Sequence, residues 1–211
     1  MTFGKRPLFI LLATLAPLTQ THSASLDADA LIASLAKPAP AHVEFTEVRF
    51  SPLLDKPLVV SGELGHEGAG ELDRKVREPY VENTYIRGES VRVERQGEPV
   101  RSFALKRAPE LRSLLTGFSA LLTGDASSVE QSFDLSSQGD PSHWTLTLVP
   151  KDARTRKRLS EVRVNGREHD PRCFSILNAD GGASIMLLGD AARVEMPINL
   201  TRDWVESRCR G

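Results

Sequence analysis

The stretch PELRSLLTGFSALLT, Pro109 to Thr123, decides how the rest of the chain is read. Its apolar residues Leu111, Leu114, Leu115, Phe118, Leu121 and Leu122 recur at helical spacing, which puts one broad apolar face on a 3.6-residue helix. The segments on either side read as strands and turns, so only a sheet is available to take that face. The stripe is then either ordinary core or the cover of a site for something apolar.

Before this helix the chain reads as short strands at regular spacing: Leu58 to Leu64, Gly70 to Val76, Tyr80 to Arg87, Ser90 to Arg95 and Val100 to Leu105. Turn chemistry separates them at Gly65 to Gly68, Glu78-Pro79, Arg87-Gly88 and Gly97-Glu98-Pro99. In Ser90 to Arg95, Val91 and Val93 face one way and Arg92 and Glu94 the other, as in an antiparallel sheet with one buried side. Further upstream, Ser25 to Ala36 reads as a short helix ended by Lys37-Pro38-Ala39-Pro40. Val43 and Phe45 share one parity while Val48 and Phe50 take the other, which predicts a bulge or turn between them.

After the helix, Gly124-Asp125 supplies a stop and Val129 to Leu135 reads as a strand. Trp144 to Pro150 is the strongest strand, with Trp144, Leu146 and Leu148 on one face. Leu159 to Val164 pairs back across the charged turn Lys151 to Arg158, and Cys173 to Asn178 and Ala183 to Leu188 form a hairpin. Roughly ten strands, each beside its neighbour, predict a meandering curved sheet.

The N-terminus reads as a secretory signal peptide over residues 1–25, leaving one domain over 26–211. Lys5 and Arg6 precede an apolar run from Leu8 to Leu18, too short for a bilayer span of about 20 residues. Small residues fit a cut after Ser23 or after Ser25, and no cysteine stands nearby for a lipid anchor. The expected product is exported and soluble, in a bacterial periplasm. Without Lys5 and Arg6, 25 of the 27 basic residues remain against 28 acidic ones, a formal charge of −3. That balance lacks the basic footprint of a nucleic-acid partner.

The two cysteines, Cys173 and Cys209, are either separate thiols or one disulfide, and an oxidising compartment favours the disulfide. No catalytic constellation is legible: no GxSxG, no HExxH, no phosphate loop and no metal-ligand spacing, so neither enzyme activity nor a cofactor is expected. The histidines at 42, 66, 143 and 169 are isolated. The run KDARTRKR, Lys151 to Arg158, is either a solvated hairpin turn or a patch for acidic headgroups or a partner.

In order and spacing, VEFTEVRFSPLL (43–54), SGELGHEGAGELDRKVREPY (61–80), IRGESVRVER (86–95), the apolar helix, WTLTLVPKD (144–152), LSEVRVNG (159–166) and ADGGASIMLLGDA (179–191) resemble one family. It is that of the LolA-like periplasmic carriers, the outer-membrane lipoprotein carrier protein and its relatives. The resemblance implies a mainly β fold with some α: a strongly curved antiparallel sheet, an unclosed barrel, covered by a few helices. It implies a monomer that holds the acyl chains of a lipid or lipoprotein cargo and ferries them across the periplasm. Its partners would be an inner-membrane releasing transporter and an outer-membrane acceptor, with no nucleic acid. The implied lipid-binding cavity is lined by Val91, Val93, Phe103, Leu105, Leu111, Leu114, Leu115, Phe118, Leu121, Leu122, Trp144, Leu146 and Leu148. The family's lid is latched in the empty state by an arginine followed by proline. Here Leu72-Asp73-Arg74-Lys75-Val76 has no such proline; Arg74 is the best match, and Arg77, before Glu78-Pro79, competes for the role. These departures place the chain on a divergent branch whose cargo is a lipoprotein or another acyl or polyene lipid. The alternative is a non-carrier envelope sensor or assembly accessory on the same fold, which binds a protein partner.

Overall fold

A computed structural model describes residue 1 and residues 26–68, 70–107, 119 and 121–210. The signal-peptide reading and the positions Leu111, Leu114, Leu115 and Phe118 lie outside the described residues. Ser119 and Leu121 to Thr123, the described part of the central stripe's C-terminal end, are helical.

The first described element is helix α1 (Ala28–Ser34), capped by the Asp27 side chain, which accepts from the Asp29 amide at 3.1 Å. Strands β1 (Ala41–Phe50), β2 (Leu58–Gly68), β3 (Glu71–Glu78), β4 (Glu82–Arg87), β5 (Ser90–Arg95) and β6 (Arg101–Ala104) follow as an antiparallel meander. A 3-10 turn at Leu105–Arg107 ends this half. Helix α2 (Ala126–Ser132) then leads into a second meander, β7 (Phe133–Asp140), β8 (His143–Pro150), β9 (Leu159–Arg167), β10 (Asp170–Asn178) and β11 (Ala183–Leu188). The β8–β9 connection contains one helical turn, α3 (Ala153–Arg156), and the chain closes with α4 (Arg202–Arg210).

The eleven strands make one sheet in the order β6-β5-β4-β3-β2-β1-β11-β10-β9-β8-β7. The two meanders join where β1 pairs with β11, Phe45 opposite Leu188 and Phe50 opposite Ala183. The edge strands β6 and β7 are not paired to each other, so the sheet is an unclosed barrel covered by a few helices, as expected. Adjacency in sequence could not reveal that β1 takes β11 as its second neighbour.

Both sides of the sheet are covered, which explains a misreading of β1. The predicted bulge near Phe45 to Val48 is absent: the register with β2 runs unbroken from Ala41 opposite His66 to Arg49 opposite Leu58. Phe45 belongs to a cluster with Val60, Val76 and Leu188, and Val48 to one on the other side with Cys173, Ile185 and Leu187. A strand buried on both faces carries apolar residues at both parities. The register shifts lie elsewhere: between Ser61 and Gly62 and between His66 and Gly68 in the β2–β3 pairing, and between Pro171 and Cys173 and between Leu177 and Asn178 in the β9–β10 pairing. The second of these lies inside the predicted Gly65 to Gly68 turn, which is instead the continuation of β2.

The predicted strand Val129 to Leu135 is likewise corrected. Residues 126–132 are helical, and the strand starts at Phe133. Asp125 is the reason: its carboxylate accepts from the Ser128 amide at 3.2 Å and from the Ser127 hydroxyl at 2.7 Å, an N-cap that commits the segment to a helical turn. Val129 and Phe133, four residues apart, then enter the same core. The preceding Gly124, at φ +73, lies so near α1 that a Cβ would sit 3.0 Å from that of Ala36. Lys37 donates its amide to the Leu122 carbonyl at 2.9 Å, tying the two helical segments together.

One close approach yields a direct test. Trp144 lies opposite Gly166, and a Cβ there would fall 2.1 Å from the indole Cζ2. The indole Nε1 donates to the Glu168 carbonyl at 2.9 Å, so the ring cannot swing aside without leaving a buried donor unpaired. Gly166→Ala is expected to cost about 1–3 kcal/mol by overpacking. Denaturant unfolding followed by tryptophan emission reads it, and an unchanged midpoint would remove the indole from this position.

Candidate functional site

Register assigns every strand residue to one of two faces. The face under α1 carries Trp144, Leu146 and Leu148 of β8, opposite Gly166, Val164 and Val162 of β9. It continues through Phe174 and Ile176 of β10, Met186 and Ser184 of β11, and Phe45, Glu47 and Arg49 of β1. Beyond β1 it holds Val60 and Leu64 of β2, Val76 and Arg74 of β3, Ile86 of β4, Val91 and Val93 of β5, and Phe103 of β6. The opposite face is packed under α4, where Val205 and Cys209 join Val48, Ile185 and Leu187. Cys209 is bonded to Cys173 of β10, with an S–S distance of 2.21 Å.

The residues expected to line a cavity fall into two groups. Trp144, Leu146, Leu148 and Leu121 are in one filled cluster with Leu31 and Ile32 of α1, Leu35 at its C-cap and Val129 of α2. Leu146 and Leu148 retain at most 1 % of their surface, so no open space borders them. Leu122 is half-buried. At the other end Val91 and Leu105 are buried, while Val93 and Phe103 are half-buried on the α1 face. Sequence reasoning missed the middle of this face, where Phe174, Ile176, Met186, Leu58 and Leu64 all keep accessible apolar surface. Their alternation with buried neighbours was legible in FSIL and SIML, but which parity met the helices was not.

A charged cluster interrupts the apolar surface. Glu47, 5 % exposed, accepts from Arg49 Nε at 2.7 Å and Nη2 at 3.0 Å, from Arg74 Nη2 at 2.5 Å, and from the Ser184 hydroxyl. Burial alone would raise the Glu47 pKa. The Arg49 hydrogen bonds, the Arg74 and Arg49 charges and the Ser184 hydroxyl outweigh it and bring the value from 4.5 to about 2. The same hydrogen bond raises the pKa of Arg49. Arg74 also lies 5.1 Å above the Phe45 ring and 3.8 Å from Glu82, itself 3.7 Å from Arg95.

The two candidate latch arginines are thus on different sides of the sheet. Arg74 is on the α1 face, engaged by Glu47 and Glu82. Arg77 bonds Glu63 at 3.0 Å and approaches Glu44 at 3.8 Å, both on the α4 face. Glu47 was not singled out from the sequence, although its parity matches Phe45 in FTEVRF and a carboxylate there had to enter the core with a cationic partner. Among the described residues no group of three His, Cys, Asp or Glu side chains could hold a metal ion, and no helix is long and apolar enough to cross a membrane.

Fold and face together define a class: open antiparallel sheets that present an apolar face partly covered by helices. The chain belongs to the outer membrane lipoprotein carrier protein LolA-like family, whose model matches residues 20–209. Members of this family are periplasmic binding or carrier proteins rather than enzymes. Among solved structures, a LolA superfamily protein from Nitrosomonas europaea is similar at 11 % identity and TM-score 0.43, covering 84 % of this chain and 97 % of its own. The MucA/MucB complex of Pseudomonas aeruginosa gives 16 % identity and TM-score 0.35, covering 76 % and 55 %. LprF from Mycobacterium bovis gives 13 % identity and TM-score 0.34, covering 82 % and 97 %. A comparison with curated protein sequences finds no significant match.

Proposed function

We propose that the protein is a periplasmic carrier that holds the acyl chains of a lipid or lipoprotein against the α1 face and conveys them toward the outer membrane. The observation that carries this reading is the half-buried apolar middle of that face: Phe174, Ile176, Met186, Leu58 and Leu64, continued by Val93 and Phe103. A core complete in itself would leave so much apolar surface accessible on one face at a cost. Acyl chains gain about 0.8 kcal/mol per methylene removed from water, so such a surface retains them without covalent attachment. Arg74 and Arg49 stand beside it, where a cargo's polar end would emerge from the apolar surface. Export through residues 1–25 and transfer between an inner-membrane transporter and an outer-membrane acceptor belong to this reading.

The test uses the chain from residue 26. Native mass spectrometry of purified protein is expected to show a co-purified fatty acid or lipid, and a fluorescent acyl probe to bind. Ile176→Asp, which puts a carboxylate into the apolar middle, is expected to weaken probe binding at least tenfold. Absence of both bound lipid and probe uptake would overturn the carrier reading and leave the protein-binding accessory on the same fold.

A further inference from the structure

The sheet's antiparallel register gathers its connections into two rims. At one rim lie the β8–β9 turn (151–158), the β10–β11 turn (179–182), the β1–β2 loop (51–57), the β3–β4 loop (79–81) and the β5–β6 turn (96–100). They follow one another in that spatial order, and the first two are joined where Ala179 donates its amide to the Arg158 carbonyl at 2.9 Å.

Two independent properties coincide there. Leu53 is 93 % exposed, Val100 56 %, Leu54 47 % and Val81 46 %; among the described residues the other exposed large apolar side chains are Met1 and Ile198. Single exposed apolar residues are common and need no explanation. Four on consecutive loops of one rim make a surface. The second property is charge. The β8–β9 turn presents Lys151, Arg154, Arg156, Lys157 and Arg158, all exposed, against one exposed acid, Asp152, which accepts from the Thr155 amide at 2.7 Å; single exposed acids, Asp180, Asp55 and Glu98, stand on three of the other connections. The opposite rim has no such run of one sign: its turns and strand ends mix Glu71, Glu89, Asp140, Glu168 and Asp170 with Arg87, Lys106, Arg107, Arg167 and His143.

We infer that the rim bearing Leu53, Leu54 and the 151–158 turn docks on a bilayer containing anionic lipid. Basic residues held near such a surface are attracted by its negative potential, and exposed apolar tips enter the interface. A protein partner would have to match an arc of five separate connections; a lipid surface is continuous and needs no such match. The opposite rim faces away from the membrane in this orientation. The inference goes beyond the carrier reading and does not need it, since it concerns the ends of the strands rather than the α1 face.

The probes are vesicles of phosphatidylcholine alone and of phosphatidylcholine with about a third phosphatidylglycerol. Co-sedimentation at low salt is expected with the anionic vesicles, at least tenfold above the neutral ones, and is expected to fall as salt rises. Arg154→Glu with Lys157→Glu is expected to reduce anionic binding at least tenfold, and Leu53→Asp with Leu54→Asp to do the same. Neither pair is in the core, and melting curves matching the parent verify folding. An environment-sensitive dye at Leu53→Cys is expected to shift to the blue on anionic vesicles, and the same dye at His169→Cys on the opposite rim is not. Equal binding to neutral vesicles, binding indifferent to both double variants, or equal shifts at the two dye positions would overturn the inference. Acyl-probe uptake measured on the same variants is expected to be unchanged, so failure of rim docking and failure of the carrier reading are separate outcomes.

Discussion

Replacing Glu47 by Gln is expected to cost about 3 kcal/mol of stability. Glu47 is the anion shared by Arg49, Arg74 and Ser184. Removing its charge leaves the Arg74 guanidinium, 19 % exposed, without its nearest counter-ion, and breaking a buried pair from one side typically costs about 3–5 kcal/mol. The pH dependence gives a second measure. The carboxylate's ordinary value is 4.5 and its folded value about 2, so folding favours the ionised form. A depressed folded value supplies stability that is fully present above the unfolded pKa and is lost as pH falls through the folded one. The parent should therefore lose about 3 kcal/mol between pH 4.5 and about 2 through this group, and Glu47→Gln should lack that part of the acid slope. Urea unfolding at several pH values reads both quantities. A variant with the parental midpoint and the parental acid slope would refute the assignment.

Opening the Cys173–Cys209 bond is the other large effect expected. The bridge closes a loop with a sequence separation of 36, for which the chain-entropy model gives about 3–4 kcal/mol. It also holds α4 over the sheet, where Val205 is fully buried and Trp204 packs against the same cluster. Reduction, or Cys173→Ala with Cys209→Ala, should lower the melting temperature by about 6–16 °C, at 2–4 °C per kcal/mol for a chain of this size. The emission of Trp204 should move to the red as the helix loosens. Trp144 lies on the other face under α1 and reports separately, through a variant lacking Trp204. A melting temperature insensitive to reductant would show that α4 is held by packing alone.

What could be read from the sequence, and what could not, follows from how many sides of each element are covered. Ser90 to Arg95 alternates cleanly because Val91 is buried and Arg92 is exposed, and its bounds as β5 are those read from the sequence. Ala183 to Leu188 was equally legible, bounded by the Asp180-Gly181-Gly182 turn, where Asp180 accepts from the Gly182 amide at 2.9 Å. β1 misled because it is apolar at both parities, and α2 because Val129 and Phe133, which share a parity with Leu135, also stand at the helical spacing of four. Within the candidate site, Val93 and Phe103 were accessible to pattern reasoning. Phe174, Ile176 and Met186 were not, since their exposure depends on where α1 and α2 stop covering the sheet. Glu47 lay hidden for a related reason. Its three partners come from β1, β3 and β11, and only the tertiary pairing of first strand with last brings Ser184 to it.

That seam between β1 and β11 also orders events in time. A chain emerging N-terminus first can assemble the hairpins of β1 to β6 early, since each pairs with its immediate neighbour. The second edge of β1 then waits for the last strand, almost the whole described chain later. Contacts of such sequence separation are intrinsically slow to form. Until β11 arrives, Val48 lacks Ile185, Glu47 lacks Ser184, and β1 is an open edge with unpaired amides, a template for wrong pairing. The half-formed sheet is the state most in need of protection, and its exposed edge is the central strand of the finished molecule.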